Sequence, residues 1–219
     1  MRPTPYVRHM QADDLARVKE VQDSVYPGIG GWRMEQLESQ LRVFPQGQLV
    51  ACIDQRVVGA ASSLIVKWDS YGTHHTYREV TAAGMFTTHD ASARTLYGAE
   101  VFADPRSRRL GIGRALYRAR RRLCRALNLR RIMSCGRMPN YHLVADRMSP
   151  EEYSARVIWG DLEDPVLMFQ MSEGFHWCGV VRDYLPSDKE SCGHANIIVW
   201  LNDRYRADQP TAIPKGPIL

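Results

Sequence analysis

No stretch of the 219 residues approaches the roughly 18 consecutive apolar residues that a membrane span requires. The first residues, Met1-Arg2-Pro3-Thr4-Pro5, lack the apolar core of a secretory signal. Cysteine is sparse and odd in number (Cys52, Cys124, Cys135, Cys178 and Cys192), and none form a Cys-x-x-Cys pair. That usage fits a reduced, cytoplasmic protein and speaks against a zinc site; no metal is expected. Internal repeats and composition breaks are also missing. Hydrophobic residues make up 44% of the chain, enough to bury a sizeable core, which excludes a disordered chain. One α/β domain over 1–219 is expected, with long loop insertions near 68–95 and 137–165.

The formal net charge is +5, and much of the excess is local. Nine arginines fall between Arg106 and Arg125, and Arg130 and Arg131 close the run. Such a patch favours an anion: nucleic acid, an acidic membrane, or the phosphates of a cofactor. For Arg118 to Arg131, a solvated helix face is the plainer explanation, since the helix dipole favours cations near a C-terminal end. The run lacks the aromatic interleaving of single-strand binders and contains no nucleic-acid-binding motif, so neither nucleic acid nor membrane is the expected partner.

Apolar residues at Leu15, Val18, Val21 and Val25 give a helix over 13–25, and Leu37 and Leu41 a second over 34–43. QLVACI and RVVGAASSLIV, separated by Asp54-Gln55, read as an antiparallel hairpin. Residues 68–95 read as a long, partly ordered loop, with His74, His75 and His89 expected in solvent. LYGAEVFA (96–103) is apolar on both faces and so a central strand. Ile112, Leu116, Ala119, Leu123 and Leu127 define a helix over 112–127, and RIMSCG (131–136) a strand. Ser149-Pro150-Glu151-Glu152 marks a helix start. A helix over 166–172 and strands over 175–184 and 195–201 complete the pattern, and the tail from Arg204 is irregular.

Chemistry concentrates in VFADPRSRRLGIGRALYRARRRL. A central strand ends at Ala103, Asp104-Pro105 turns the chain, and Arg108-Arg109-Leu110-Gly111-Ile112-Gly113 opens a helix. Free amides at a helix start form an anion site, and glycine lets phosphate approach the main chain. A Walker A loop is absent. A dinucleotide fingerprint fails at Leu116, where its third glycine belongs; Arg137 after the next strand keeps a phosphorylated dinucleotide as a minor reading. Arg108-x-x-Gly111-x-Gly113 fits the third type, R/Q-x-x-G-x-G/A, in full.

This segment resembles the pyrophosphate-binding motif of the GNAT N-acetyltransferase superfamily. The element order agrees over nearly the whole chain, and Glu173-Gly174-Phe175 stands where the family often has Gly-Phe after its late helix. The stretches GQLVA, SSLIV, FTTHD, LYGAEVF and SPEEY are similar to acetyltransferase modules fused ahead of carbon–nitrogen hydrolases. No hydrolase follows here, so a stand-alone relative or one module is expected. The resemblance implies a mixed, mostly antiparallel sheet with helices on both faces. It implies acetyl-CoA as cosubstrate. The backbone of Val101, Phe102 and Ala103 would hold pantetheine, and Arg108, Arg109, Leu110, Gly111, Ile112, Gly113 and Arg114 the pyrophosphate. The expected reaction is acetyl transfer to a primary amine, of a small molecule or a protein, through a ternary complex. A homodimer is also expected. A non-catalytic acyl-CoA-binding regulatory module is the alternative.

Amine attack needs a base. Glu100 is the candidate, read as alternating with Leu96, Gly98 and Phe102 on one face of the central strand. A carboxylate there is expensive unless it is functional or paired with an arginine. Gln170 stands where many relatives place a tyrosine acid; Tyr141 or His142 is the substitute. Cys135, with His142 as base, offers a minor covalent route.

Overall fold

The computed structural model describes residues 4–27 and 30–213. The helical stripe of Leu15, Val18 and Val21 is buried in α1 (Leu15–Val25), and Leu37 anchors α2 (Met34–Val43) beside it. β2 (Gln48–Ile53) and β3 (Arg56–Val66) form the expected hairpin, turning on Asp54 and Gln55 at φ 47° and 66°. Next come α3 (Tyr77–Val80), β4 (Thr95–Ala103), α4 (Ile112–Ala126) and β5 (Arg131–Gly136). α5 (Pro150–Trp159), α6 (Pro165–Ser172), β6 (His176–Val181) and β7 (Ala195–Leu201) complete the chain. One strand was not read from the sequence: β1 (Tyr6–His9), antiparallel to β2.

The strands form one sheet in the order β1-β2-β3-β4-β5-β7-β6, antiparallel except between β4 and β5. α1 and α2 cover one face, over Val50, Leu64, Tyr97 and Phe102. α4 covers the other, where Ile112, Leu116 and Ala119 meet Leu49, Ala51 and Ala61. Gly59 allows α4 to sit that close: a Cβ there would lie 2.8 Å from Ile112 Cγ2 and 2.7 Å from the Phe102 carbonyl.

Two features of β4 set up the site. Its parallel pairing with β5 runs only from Thr95↔Arg131 to Gly98↔Ser134. Beyond Gly98, the β5-facing edge of β4 has no strand partner, so the two strands part. The second feature is a bulge. On β3, Ser63 faces Gly98 and the next residue, Ser62, faces Glu100, so Ala99 is the extra residue. The alternation inverts there. Tyr97, Ala99 and Phe102 belong to the α1/α2 core, whereas Leu96 and Val101 pack on the α4 side. Glu100 therefore shares a face with Phe102 but not with Leu96 and Gly98, correcting the strict alternation read from sequence.

The loops hold more structure than expected. Thr76 caps α3 by accepting from the Glu79 amide (3.1 Å), while Glu79 accepts from the Thr76 amide (2.7 Å). His74 is exposed as expected, but His75 is buried and His89 is half-buried. His75 is buried among Trp68, Tyr71, Tyr97 and Tyr184. His89 stacks on Phe44 at 4.5 Å and its Nδ1 accepts from the Ile65 amide at 3.1 Å. Within 137–165, Ser149 caps α5 by accepting from the Glu152 amide at 3.1 Å.

Candidate active site

The turn after β4 is built around Asp104, only 3% exposed. Its carboxylate accepts from Arg17 Nη2 at 2.7 Å, from the Arg106 amide and Nε at 2.9 and 3.0 Å, and from Arg106 Nη2 at 2.9 Å. These cations hold the Asp104 carboxyl far below the usual carboxylate range. The chain then passes through two left-handed residues, Arg109 (φ 63°) and Gly111 (φ 75°), and Gly111 begins α4 with no side chain capping the helix. The first-turn amides of Ile112, Gly113 and Arg114 are open to a ligand, as helix geometry leaves them. Arg108 and Arg109 are exposed, with no carboxylate partner among the described residues. Three arginines further along α4 are paired: Arg114 and Arg121 with Glu173 (2.9 and 3.1 Å), Arg125 with Asp203 (2.9 Å). An uncapped helix mouth flanked by unpaired cations suits a diphosphate.

Two cavities adjoin where β4 and β5 part. One, about 330 Å³, lies between β4, β5, α4 and α6, with Val101, Tyr117, Ser134 and Phe169 in its walls. The other, about 240 Å³, lies on the α1/α2 side and is walled by Trp32, Tyr77 and Tyr184. Glu100, Tyr26, Ala99, Cys135 and Arg137 line both. Glu100 Oε1 accepts from Tyr26 Oη at 2.9 Å and from the Val101 amide at 3.1 Å. Burial outweighs these bonds and pushes the Glu100 carboxyl up to about 7. Among the described residues no arginine forms a salt bridge with it: the Arg137 guanidinium stands 5.8 Å over the Tyr26 ring and is held by Asp188 and Glu190. At the end of the cleft, Ser134 Oγ and Gln170 Oε1 are buried without partners among the described residues.

The remaining sequence candidates lie elsewhere. Tyr141 Oη donates to the Met148 carbonyl at 3.1 Å, and its ring packs on Tyr153. His142 is exposed, with Nδ1 against the Pro139 and Glu190 carbonyls at 3.0 and 3.2 Å. Neither lines the cleft, because the chain after β5 carries both away over the α5 side. Cys135 does line it, but its ring neighbour is His75 (Sγ to Nε2, 3.7 Å), not His142, and burial pushes the thiol up to about 12. Gln170 is buried and donates weakly to Tyr117 Oη at 3.4 Å.

Three cleft residues were not singled out from sequence. Tyr26 follows α1 and carries no local signal. Tyr117 resembles any core aromatic of an amphipathic helix. Arg120, buried under the bulge, was legible: it lies four residues after Leu116 and three before Leu123, on the apolar stripe of α4.

A split mixed sheet with an uncapped helix mouth at the carboxyl end of a central strand defines a class, the α/β proteins that seat a phosphorylated ligand there. The profile of the Acetyltransferase (GNAT) family matches residues 15–145, and the chain belongs to that family of acyltransferases. It is 37% identical over 203 residues to the probable hydrolase YhcX of Bacillus subtilis (strain 168), covering 93% of this chain but 40% of that protein. That partial span agrees with the resemblance to a module fused to a hydrolase. It is 31% identical over 204 residues to the uncharacterized N-acetyltransferase YkwB of the same strain, over 91% of this chain and 90% of that one. The fold matches the GNAT-like decarboxylase GphF, solved in complex with isobutyryl-CoA, with TM-score 0.77 at 20% identity over 90% of this chain and 98% of that one. Among the described residues no helix is long and apolar enough to cross a membrane, and no group of three or more His, Cys, Asp or Glu side chains could hold a metal ion.

Proposed function

We propose that the chain is an acyl-CoA-dependent N-acyltransferase, moving an acyl group, acetyl in the simplest case, onto a primary amine while both substrates are bound. One observation carries the reading: Glu100, its carboxyl raised to about 7, stands where the two cavities meet. The amides of 109–114, with Arg108 and Arg109, would hold the diphosphate, and the unpaired edge of Val101–Ala103 the pantetheine arm. The thioester then lies beside Glu100, and the amine enters past Trp32 and Tyr77.

An alkylammonium of pKa ~10.4 must lose its proton before attack. Transfer to an ordinary carboxylate is uphill by roughly 6 pKa units; transfer to Glu100 is uphill by roughly 3. The neutral amine adds to the thioester carbonyl, the oxyanion meets a backbone amide near Phe102, and the thiolate leaves. A thiol of pKa ~8.5 leaves as thiolate at pH 7 at a cost of only about 2 kcal/mol, so a dedicated acid is not required. Tyr141 and His142 have no part in this reading.

The test is thiol release from acetyl-CoA with a panel of small amines, amino acids and peptides. Glu100→Gln is expected to lower turnover by about 10² or more while CoA affinity holds, and to remove the rise in rate around neutral pH. Wild-type kinetics in that variant would remove Glu100 from the mechanism. Tight CoA binding with no turnover on any amine would favour the regulatory module instead.

A further inference from the structure

The closed end of the acyl-side cavity is more polar than an acetyl group requires. Arg120, on α4, is 2% exposed. Its Nε donates to Ser63 Oγ at 3.0 Å, and its Nη2 donates to the Ser62 and Glu100 carbonyls at 3.0 and 2.6 Å. Those bonds clamp the β4 bulge to β3 and leave Nη1 without a partner among the described residues. Nη1 faces Gly98: a Cβ at that glycine would lie 2.8 Å from it and would overlap Ser134 Oγ. Ser134 Oγ, on β5, is buried and unpartnered, and so is Gln170 Oε1 on α6. Arg120 and Ser134 thus bring unused polar groups to Gly98, where β4 and β5 begin to part, Gln170 brings another to Gly136 further along β5, and all three side chains line the cavity.

The charge is equally unbalanced. Arg114, Arg121 and Arg125 each have a carboxylate. Arg120 has none in contact among the described residues: the Glu100 carboxyl attracts it only from a distance, giving it a carbonyl to bond while its side chain turns to Tyr26 on the other face. A buried guanidinium with no carboxylate in contact is expensive unless a ligand supplies one. The coenzyme diphosphate cannot, because Arg120 lies eight residues from Ile112, roughly 12 Å along the helix.

We propose that this cluster receives a carboxylate at the far end of the acyl group, so that the preferred donor is a dicarboxylic acyl-CoA thioester. Arg120 Nη1 and Ser134 Oγ donate to that carboxylate. A half-turn of the Gln170 amide adds an N–H and lets its oxygen accept from Tyr117 Oη. Gly98, whose missing Cβ would overlap Ser134 Oγ and crowd Arg120 Nη1, is the residue that lets the two donors converge. The inference rests on the acyl-CoA reading above and specifies its donor.

Calorimetry with malonyl-CoA and succinyl-CoA against acetyl-CoA and butyryl-CoA tests it. The carboxylated thioesters are expected to bind at least roughly tenfold more tightly than the uncharged pair. Arg120→Met should bring that ratio toward one, and Arg120→Lys should recover part of it. Because Arg120 also clamps the bulge, Ser134→Ala provides a second route: it removes a donor without touching the clamp and should shrink the ratio. Equal affinity for all four thioesters in the wild-type protein overturns the inference alone, as does a ratio that survives Ser134→Ala. Binding of none of the four takes the enzyme reading down with it.

Discussion

Burial keeps the Glu100 carboxyl protonated up to about pH 7, whereas in the unfolded chain it ionises near its ordinary value of 4.5. Between those values the folded state holds more protons than the unfolded state, so stability falls as pH rises through the window. The full shift is worth about 3 kcal/mol at most. Glu100→Gln should therefore match wild type in stability below pH 4.5 and exceed it above pH 7 by up to about 3 kcal/mol. Urea denaturation at the two pH values checks this; an equal difference at both would mean an ordinary carboxyl. The same window separates function from stability, because the ionised form that accepts a proton is the form that weakens the fold. A carboxylate in an apolar central strand was visible in the sequence as an anomaly. Its face was not, because the bulge at Ala99 arises from pairing with β3, which the local pattern does not encode.

At the scale of elements, β4, its turn and α4 act together. Gly111 has open space around it, so an added side chain meets only the backbone strain of φ 75°. Gly111→Asp should fold at a cost of about 1 kcal/mol and lose at least roughly tenfold in CoA affinity, since a carboxylate would sit where phosphate is held. Unchanged affinity by calorimetry would contradict the phosphate-site reading. Asp104 holds the turn. Asp104→Asn should destabilise by about 2 kcal/mol at pH 7. The Asp104 carboxyl is depressed in the fold, so its contribution is present above its unfolded value of 3.8 and is lost as pH falls below it. The variant should approach wild type in acid, which chemical denaturation can follow. Long periodic elements such as α4 were legible to within a residue at each end. β1 was not: Tyr6-Val7-Arg8-His9 is short and charged, and its strand partner, β2, lies about forty residues away.

For the whole molecule, a CoA thioester would touch β4, β5, α4 and α6 at once, so binding should stabilise the fold as a unit. At a ligand concentration a hundredfold above Kd the gain is about 2.7 kcal/mol. That corresponds to a rise in Tm of roughly 5–10 °C for a chain of this length, readable by scanning calorimetry. A rise confined to free phosphate, without one for CoA, would argue against a cleft that takes the whole coenzyme. The sequence by itself determined the order of the longer elements, the helix mouth at 108–113 and the family, because phosphate loops and amphipathic periods are written in neighbouring residues. Tertiary structure decided where β4 leaves β5, that Tyr26 meets Glu100, and that Arg120 is buried with no carboxylate in contact among the described residues while Arg114, Arg121 and Arg125 are paired. Those facts depend on contacts between residues 20 to 75 positions apart, which no local pattern records.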